Sequence, residues 1–577
     1  MNLDRREWLQ ALGAAALSGL NLNSAAWAAE PGGFYELPRF GNVSFLHMTD
    51  CHAQLLPLHY REPSVNLGVG AAKGQWPHLA GEAVLKAAGV APGSAMAHAL
   101  SCLDFSAQAQ RHGEIGGFAH LATLVRQLRA SRPGALLLDG GDSWQGSATA
   151  LWTNGQDMVD ACKLLGVDVM TGHWEFTLGA ARVQEVVAKD FKGQIDFVAQ
   201  NIASADFGDP VFAPYTLRQQ NGVTCAVIGQ AFPYTPVANP RYFVPDWTFG
   251  IQEAQLQQQV DALRAKGVAV VVLLSHNGMD VDLKLASRVR GLDAIFGGHT
   301  HDAVPLAVPV RNAGGTTLVT NAGSHGKFLG LMDFDVKDGR VRDFRYRLLP
   351  IFSRQLAPDP AMAALIAKLR APYEKQLNET LAVTDGLLWR RGNFNGSWDQ
   401  LICDALRAEQ DAELAFSPGF RWGGSLLPGQ AITRERLMDQ LAITYPTATR
   451  TLMSGEQIKT VLEDVADNLF NPDPYYQQGG DMVRTGGLSW RCTPAAAMGR
   501  RIDELRVHGQ PLQADKRYAV AGWASVSEEV KQAGGPPVWT LVERWLKRQP
   551  GGRVAQRVPD APALVGVADD PGYSPSA

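Results

Sequence analysis

The chain has 577 residues, 46 % hydrophobic and 19 % charged, and its 53 Lys and Arg against 57 Asp and Glu give a formal net charge of −4. That composition supplies ample apolar material for a core and excludes a disordered chain, a collagen and a coiled coil. The near-neutral balance argues against a non-specific polyanion binder, and six scattered cysteines without a CxxC are too few for a disulfide scaffold.

Residues 1–28 read as an export signal. Arg5-Arg6 precede an apolar run from Leu9 to Leu20, which ends at the small-x-small pattern Ala26-Trp27-Ala28. The paired arginines predict the twin-arginine route to the periplasm, and the run is shorter than the ~20 residues a membrane span needs. From about 35 to 355, apolar strand-like runs alternate with helical patterns such as His120 to Leu128. The runs are Val43–Met48, Ala135–Asp139, Val223–Gly229, Val268–Leu274 and Asp293–Phe296. This alternation predicts an α/β domain with its sheet covered on both faces. Residues 53–115, rich in Gly, Ala and Pro, are expected to form a loop-like insertion near the site, in the manner of a lid. Over 358–380, Met362, Leu365, Ile366, Leu369, Tyr373 and Leu377 fall at helical spacing, and Pro372 predicts a break. A second α/β region follows over 381–565, and 566–577 is expected to be a disordered tail.

Five short motifs share one pattern: an apolar strand ends, and side chains able to bind metal appear just past it. They are Thr49-Asp50-Cys51-His52, Gly140-Gly141-Asp142-Ser143, Gly172-His173-Trp174-Glu175-Phe176, Ser275-His276-Asn277 and Gly297-Gly298-His299-Thr300-His301. Each alone is weak, since a lone Gly-Asp is usually a turn and a lone His after a strand is usually a satisfied polar residue. Together they bring loops from several strand ends toward one point. Two aspartates and five histidines (Asp50, His52, Asp142, His173, His276, His299, His301) are too many for one zinc, which takes four ligands. They suit a pair of divalent ions, and mixed imidazole and carboxylate ligation favours manganese, zinc or iron over calcium or magnesium.

The ordered set resembles the calcineurin-like metallophosphoesterases, in the branch of the 5′-nucleotidases. There a metal-binding sheet sandwich is joined by a helix to a C-terminal α/β substrate domain. Nucleotidases carry Gly-Asn-His-Glu at the third motif, with the His as catalytic acid. This chain has His173 and Trp174 instead, and an indole donates no acidic proton. Gly172-His173-Trp174-Glu175-Phe176 is similar to the SoxB thiosulfohydrolase family. So are Gly141-Asp142-Ser143-Trp144-Gln145-Gly146, Ser417-Pro418-Gly419-Phe420-Arg421-Trp422-Gly423 and Asn468 to Asp481.

The resemblance implies a dimanganese enzyme that hydrolyses a cysteine-bound thiosulfonate on the SoxYZ carrier, releasing sulfate through attack of metal-activated hydroxide. Asp50, His52 and His301 would hold one ion, and His173, His276 and His299 the other, with Asp142 between them. Arg421 is expected to face the sulfonate, because guanidinium donors match its oxygens, and Trp174 to line a channel for the carrier arm. Asp142, Arg421 and Trp174 are the expected catalytic residues, and Asn201, after another strand-like run, is a further substrate contact or a turn cap. Trp144 and Trp422 are wall or packing residues. His47, His59, His112 and His120 are structural or surface residues, His325 a turn residue and Cys51 a packing residue. The alternative reading is a periplasmic 5′-nucleotidase. Nothing in the sequence points to a nucleic-acid partner or a membrane span.

Overall fold

The computed structural model describes residues 34–62 and 67–567. The expected export signal at 1–28 and residues 568–577 of the expected tail lie outside the described residues.

Among the described residues, twelve strands of the N-terminal domain form two six-stranded sheets, beside a two-stranded ribbon of Ala203–Ser204 and Trp247–Thr248. In chain order the strands of the two sheets are β1 (Val43–Met48), β2 (Leu136–Asp139), β3 (Val169–Met170), β4 (Asp196–Phe197), β5 (Tyr215–Gln220), β6 (Val223–Gln230), β7 (Val270–Ser275), β8 (Ala294–Gly297), β9 (Val308–Asn312), β10 (Gly315–Asn321), β11 (Phe328–Lys337) and β12 (Arg340–Pro350). One sheet runs β12-β11-β1-β2-β3-β4 and the other β9-β10-β8-β7-β6-β5. The strands at the centre of each are parallel, β1 to β4 in the first and β6, β7, β8 and β10 in the second. Their loops therefore leave in register from one end.

The two sheets form the sandwich that the resemblance implies, and side-chain alternation shows why. Successive residues of a strand point to opposite faces. Val43 and Phe45 of β1, Leu136 and Leu138 of β2, Val227 of β6 and Val270, Val272 and Leu274 of β7 share one buried cluster between the sheets. The alternate residues Leu46, Met48 and Leu137 pack outward on helices Phe118–Ser131, Gln156–Leu165 and Pro360–Arg370. Ile228, Val271 and Leu273 pack outward on Glu253–Ala265 and Met279–Arg288. Both faces of these central strands are apolar because both are covered, so their runs are continuous, as in parallel sheets generally.

The described part of the 53–115 insertion is helical rather than loop-like. It forms helices Glu82–Ala88, Ala95–Leu100 and Phe105–His112. Leu58, Tyr60, Val84, Leu85, Met96, Leu100 and Ile115 join the core between the sheets. The apolar positions were dispersed among Gly and Ala, which hid a short-helix pattern. The segment also ties the domains together: the Ser425 amide donates to the His59 carbonyl at 2.7 Å, and the Leu67 amide to Asn393 Oδ1 at 2.8 Å.

The linking pattern forms helices Pro360–Arg370 and Glu374–Leu377, parted at Pro372, with Asp359 Oδ1 capping the first through the Met362 amide at 2.8 Å. The C-terminal domain is built on a four-stranded sheet (Ala448–Ser454, Arg517–Trp523, Leu414–Ser417, Arg484–Gly486) with smaller sheets and helices Ser397–Gln410, Gly455–Phe470 and Val538–Lys547. It lies over the loop end of the sandwich. All six cysteines are buried.

Candidate metal centre

Each predicted ligand sits just past a strand end: Asp50 and His52 after β1, Asp142 after β2, His173 after β3, His276 after β7, and His299 and His301 after β8. Five of these seven have a left-handed backbone: Asp50 (φ 51°), His52 (45°), Asp142 (59°), His299 (73°) and His301 (58°). Non-glycine residues rarely adopt this region, and strain of this kind concentrates where the surrounding structure enforces it for function. It turns the chain sharply enough for residues two apart to face one point. The strand ends also crowd together. A Cβ at either Gly140 or Gly298 would lie 2.4 Å from Thr49 Oγ1, so only glycine fits there.

All seven side chains are buried and fall into two groups that share Asp142: Asp142, His173, His276, His299, and Asp50, His52, Asp142, His301. Within each group, one ligand atom per residue lies within 4.8 Å of the others. Asp142 Oδ2 is 3.0 Å from His276 Nε2, 3.2 Å from His173 Nδ1 and 3.8 Å from His52 Nε2. His301 Nε2 lies 3.2 Å from Asp50 Oδ1. The Nε2 atoms of His52 and His301 are 3.0 Å apart, and His173 Nδ1 and His276 Nε2 3.3 Å. Lone pairs at such distances repel unless a proton or a cation lies between them. Tautomers are set from outside: His276 Nδ1–H donates to the Gly140 carbonyl at 2.6 Å and His52 Nδ1–H to Gln145 Oε1 at 3.4 Å. Each Nε2 is thereby left as a ligand atom toward the cluster. Both nitrogens of His299, Nε2 of His173 and Nδ1 of His301 are buried without a protein partner. This donor set is able to hold metal ions.

The electrostatics agree. Burial would lower the His276 pKa, but Asp142 and Asp50 outweigh it and push the imidazole up to about 10. Burial would raise Asp142, yet His173 and His276 hold it well below the usual carboxylate range. The negative potential that protonates His276 is the potential that binds a cation. His299 and His301 are driven well below the usual range, first by burial and then by neighbouring cationic groups, so both stay neutral and ligating.

Glu175, part of the third motif but given no role by the sequence, organises two ligand loops. Its carboxylate accepts from the amides of His173 (2.8 Å), Ser143 (2.7 Å), Asp142 (3.2 Å) and Trp144 (3.3 Å). The sequence reading also missed Phe232, whose ring lies 4.1 Å from those of His299 and His173. It follows a strand end like the ligands, but a phenyl group carries no chemical signal there.

The C-terminal domain adds an aromatic wall. Trp174 meets Phe420 and Trp422 edge-on at 5.2 and 4.8 Å and stacks over Tyr445 at 6.0 Å. Trp422 stacks on His52 at 5.1 Å. Trp422 is therefore a wall residue, whereas Trp144 packs on Phe191 in the core. Arg421 reaches the same edge. Its guanidinium donates to the His299 carbonyl (3.1 Å), the Gly480 carbonyl (2.7 Å) and Asp481 Oδ1 (3.5 Å), and it borders a polar cavity with Asn277, His299, Asn468 and Gln477. Burial would raise Asp481, but Arg391, Arg421 and Arg484 hold it below the usual range. Gly479 lies so close that a Cβ would meet His299 Nε2 at 1.8 Å.

Asn201 braces a loop. Its amide donates to the Ala231 and Gly250 carbonyls at 2.8 and 2.9 Å and its oxygen accepts from the Ala231 amide at 2.8 Å. These bonds hold the loop that carries Phe232, in keeping with the turn-holding alternative read from the sequence. His47 and His120 are buried, and His120 Nδ1–H donates to the Leu356 carbonyl at 2.7 Å. Cys51 is fully buried in the core.

Residues 388–529 match the family described as the 5′-nucleotidase C-terminal domain. Among curated relatives, the snake venom 5′-nucleotidase of Naja atra is 27 % identical over 50 % of this chain, which spans 59 % of that protein's length. The 5′-nucleotidase of Bos taurus is 27 % identical over 70 % of this chain and 76 % of its own. Among solved structures, the sulfate thiohydrolase SoxB of Thermus thermophilus, in complex with glycerol, superposes with a TM-score of 0.87 at 36 % identity, covering 94 % of this chain and 99 % of that one. This chain belongs to the SoxB family. SoxB itself stands within the 5′-nucleotidase branch, and the two-domain architecture, a calcineurin-like sandwich followed by a 5′-nucleotidase C-terminal domain, is common to them. The chain is a hydrolase of that metallophosphoesterase lineage. The stretch matched by the C-terminal family contains the SoxB-like turn with Arg421 and Trp422, and Asp481.

Proposed function

We propose that the chain hydrolyses a cysteine-bound thiosulfonate on the SoxYZ carrier and releases sulfate. The observation that carries this reading is Trp174. Beside the ligand His173, where a nucleotidase keeps an acidic imidazole for an alkoxide leaving group, an indole packs into an aromatic wall. A persulfide sulfur leaves with less protonation than an alkoxide, because its conjugate acid is stronger.

Asp50, His52 and His301 would hold one ion and His173, His276 and His299 the other, with Asp142 shared. When bound, two divalent ions, manganese in this reading and zinc or iron as other occupants, acidify a water and offset the charge on the sulfonate oxygens. Arg421 has five N–H groups, and those not given to His299, Gly480 and Asp481 are free for those oxygens. Trp174, Trp422, Phe420 and Tyr445 exclude solvent beside the sulfur chain. In the net reaction the water oxygen bonds to the terminal sulfur and the sulfur–sulfur bond breaks. Sulfate and a carrier persulfide form, and the water protons pass to solvent and to the departing sulfur. The reading includes export to the periplasm by the twin-arginine route, resting on Arg5-Arg6 and Ala26-Trp27-Ala28. No described helix is long and apolar enough to cross a membrane.

A second reading, a 5′-nucleotidase, is favoured by the match over residues 388–529. The deciding experiment gives metal-loaded protein two substrates in parallel: carrier bearing the thiosulfonate, assayed for sulfate, and a nucleoside monophosphate, assayed for phosphate. Sulfate without phosphate is expected. Phosphate without sulfate would overturn the proposal.

A further inference from the structure

His325 belongs to no ligand group, yet it joins the two walls of the site. Its backbone amide donates to the Asp50 carbonyl at 2.8 Å, and it too has a left-handed backbone (φ 58°). Its Nε2 accepts the Gly423 amide of the C-terminal domain at 3.0 Å. A neutral ring that accepts at Nε2 carries its proton on Nδ1, and Nδ1 lies 2.8 Å from Ser324 Oγ, which receives it. The ring is buried, packed 4.4 Å from Tyr60 and 5.8 Å from His52. Gly423 directly follows Arg421 and Trp422. A Cβ at Gly423 would meet Gln440 Oε1 at 2.1 Å, so the turn is held between His325 and Gln440.

We infer that His325 is a positioning residue: its accepting nitrogen seats the Arg421–Trp422 turn of the C-terminal domain against the ligand loop that carries Asp50. One turn then delivers Arg421 to the His299 carbonyl, Trp422 to the His52 ring and Gly423 to His325. The inference rests on the proposed function only in taking that turn as the substrate-facing wall.

The test compares His325→Phe, which removes the acceptor, with His325→Gln, whose amide oxygen restores it. Ser324→Ala, which releases the proton that fixes the tautomer, is the milder third variant. Bound metal, steady-state turnover of thiosulfonate-bearing carrier, and hydrogen exchange of the peptide containing Gly423 are measured on each. Metal content is expected to stay at the wild-type level. In His325→Phe, exchange at the turn speeds up and KM rises about tenfold with kcat little changed, the scale of losing a partner just outside a metal site. Ser324→Ala falls between, and His325→Gln stays near wild type. Wild-type exchange in His325→Phe, a His325→Gln as impaired as His325→Phe, or metal loss in all three would overturn the inference. If the wild-type protein itself releases no sulfate, the proposed function fails, while the exchange comparison still decides the role of His325.

Discussion

The two walls of the site are made in opposite ways. The ligand wall is polar and comes from loops of one domain, each beginning where a strand ends, with left-handed backbone at most ligands. The facing wall is aromatic and comes mainly from one turn and Tyr445 of the other domain, and it touches the first wall through Trp422 on His52 and Arg421 on the His299 carbonyl. The first wall needs strain and charge to hold its ligands together. The second needs only shape and a few hydrogen bonds across the domain interface. Removing a ligand should therefore empty the centre, whereas removing a residue of the aromatic wall should leave the centre intact and weaken only the handling of substrate.

The largest expected effect is at the shared carboxylate. Asp142→Asn keeps the shape but removes the charge common to both groups. Metal content measured by mass spectrometry should fall and turnover drop by at least about 10²–10³-fold, the scale of losing a principal electrostatic group. Full metal occupancy in this variant would break the contrast between the walls. Arg421→Ala comes next: sulfate release should fall roughly 10–100-fold, the scale of losing a hydrogen-bonded charge, with metal content unchanged. Coupled metal loss would show that Arg421 acts through His299.

Beneath the ligand wall, His47 of β1 is buried with neither ring nitrogen partnered, and burial pulls its pKa down to about 3. Below about 6.5 the unfolded chain takes up a proton that the folded one refuses. Stability is thus fully present above that pH and falls as pH drops toward about 3, by on the order of 5 kcal/mol. Denaturant titrations from pH 7 to 4 should show this slope, and His47→Leu should remove it. An unchanged slope would place the acid sensitivity in the ligand loops instead. The smallest effect lies far from both walls. Ser454 caps helix Gly455–Phe470 in a reciprocal box with Gln457, and Ser454→Ala should cost about 1 kcal/mol in denaturant midpoint with activity untouched.

Much of the site was legible before the fold. Asp50, His52, Asp142, His173, His276, His299 and His301 each stand within five residues of the end of an apolar run, and their side chains carry recognisable chemistry. Five central strands were legible too, because both of their faces are buried and their apolar runs are unbroken. Glu175 lay in plain view in its motif, but its work is on backbone amides, which leave no pattern in side-chain spacing. Phe232 was silent, and His325 was read only as a turn residue, for a related reason: a ring that packs or accepts one hydrogen bond looks like any other ring in a loop. Asn201 was read with two alternatives because a polar residue after a strand serves a backbone as readily as a ligand, and its bonds brace the Phe232 loop.

By itself the sequence determined which residues could bind metal, where the strands lie and that two α/β regions are joined by a helix broken at Pro372, since these follow from local chemistry and periodicity. Only the tertiary structure decided which strands fall in which of the two facing sheets and that Leu58, Tyr60, Leu85, Met96 and Ile115 pack into the core between them. It alone decided that a turn of the second domain is seated against the ligand loops through His325. Those outcomes depend on contacts between residues distant in the chain, whose free energy is realised only when both partners are already in place.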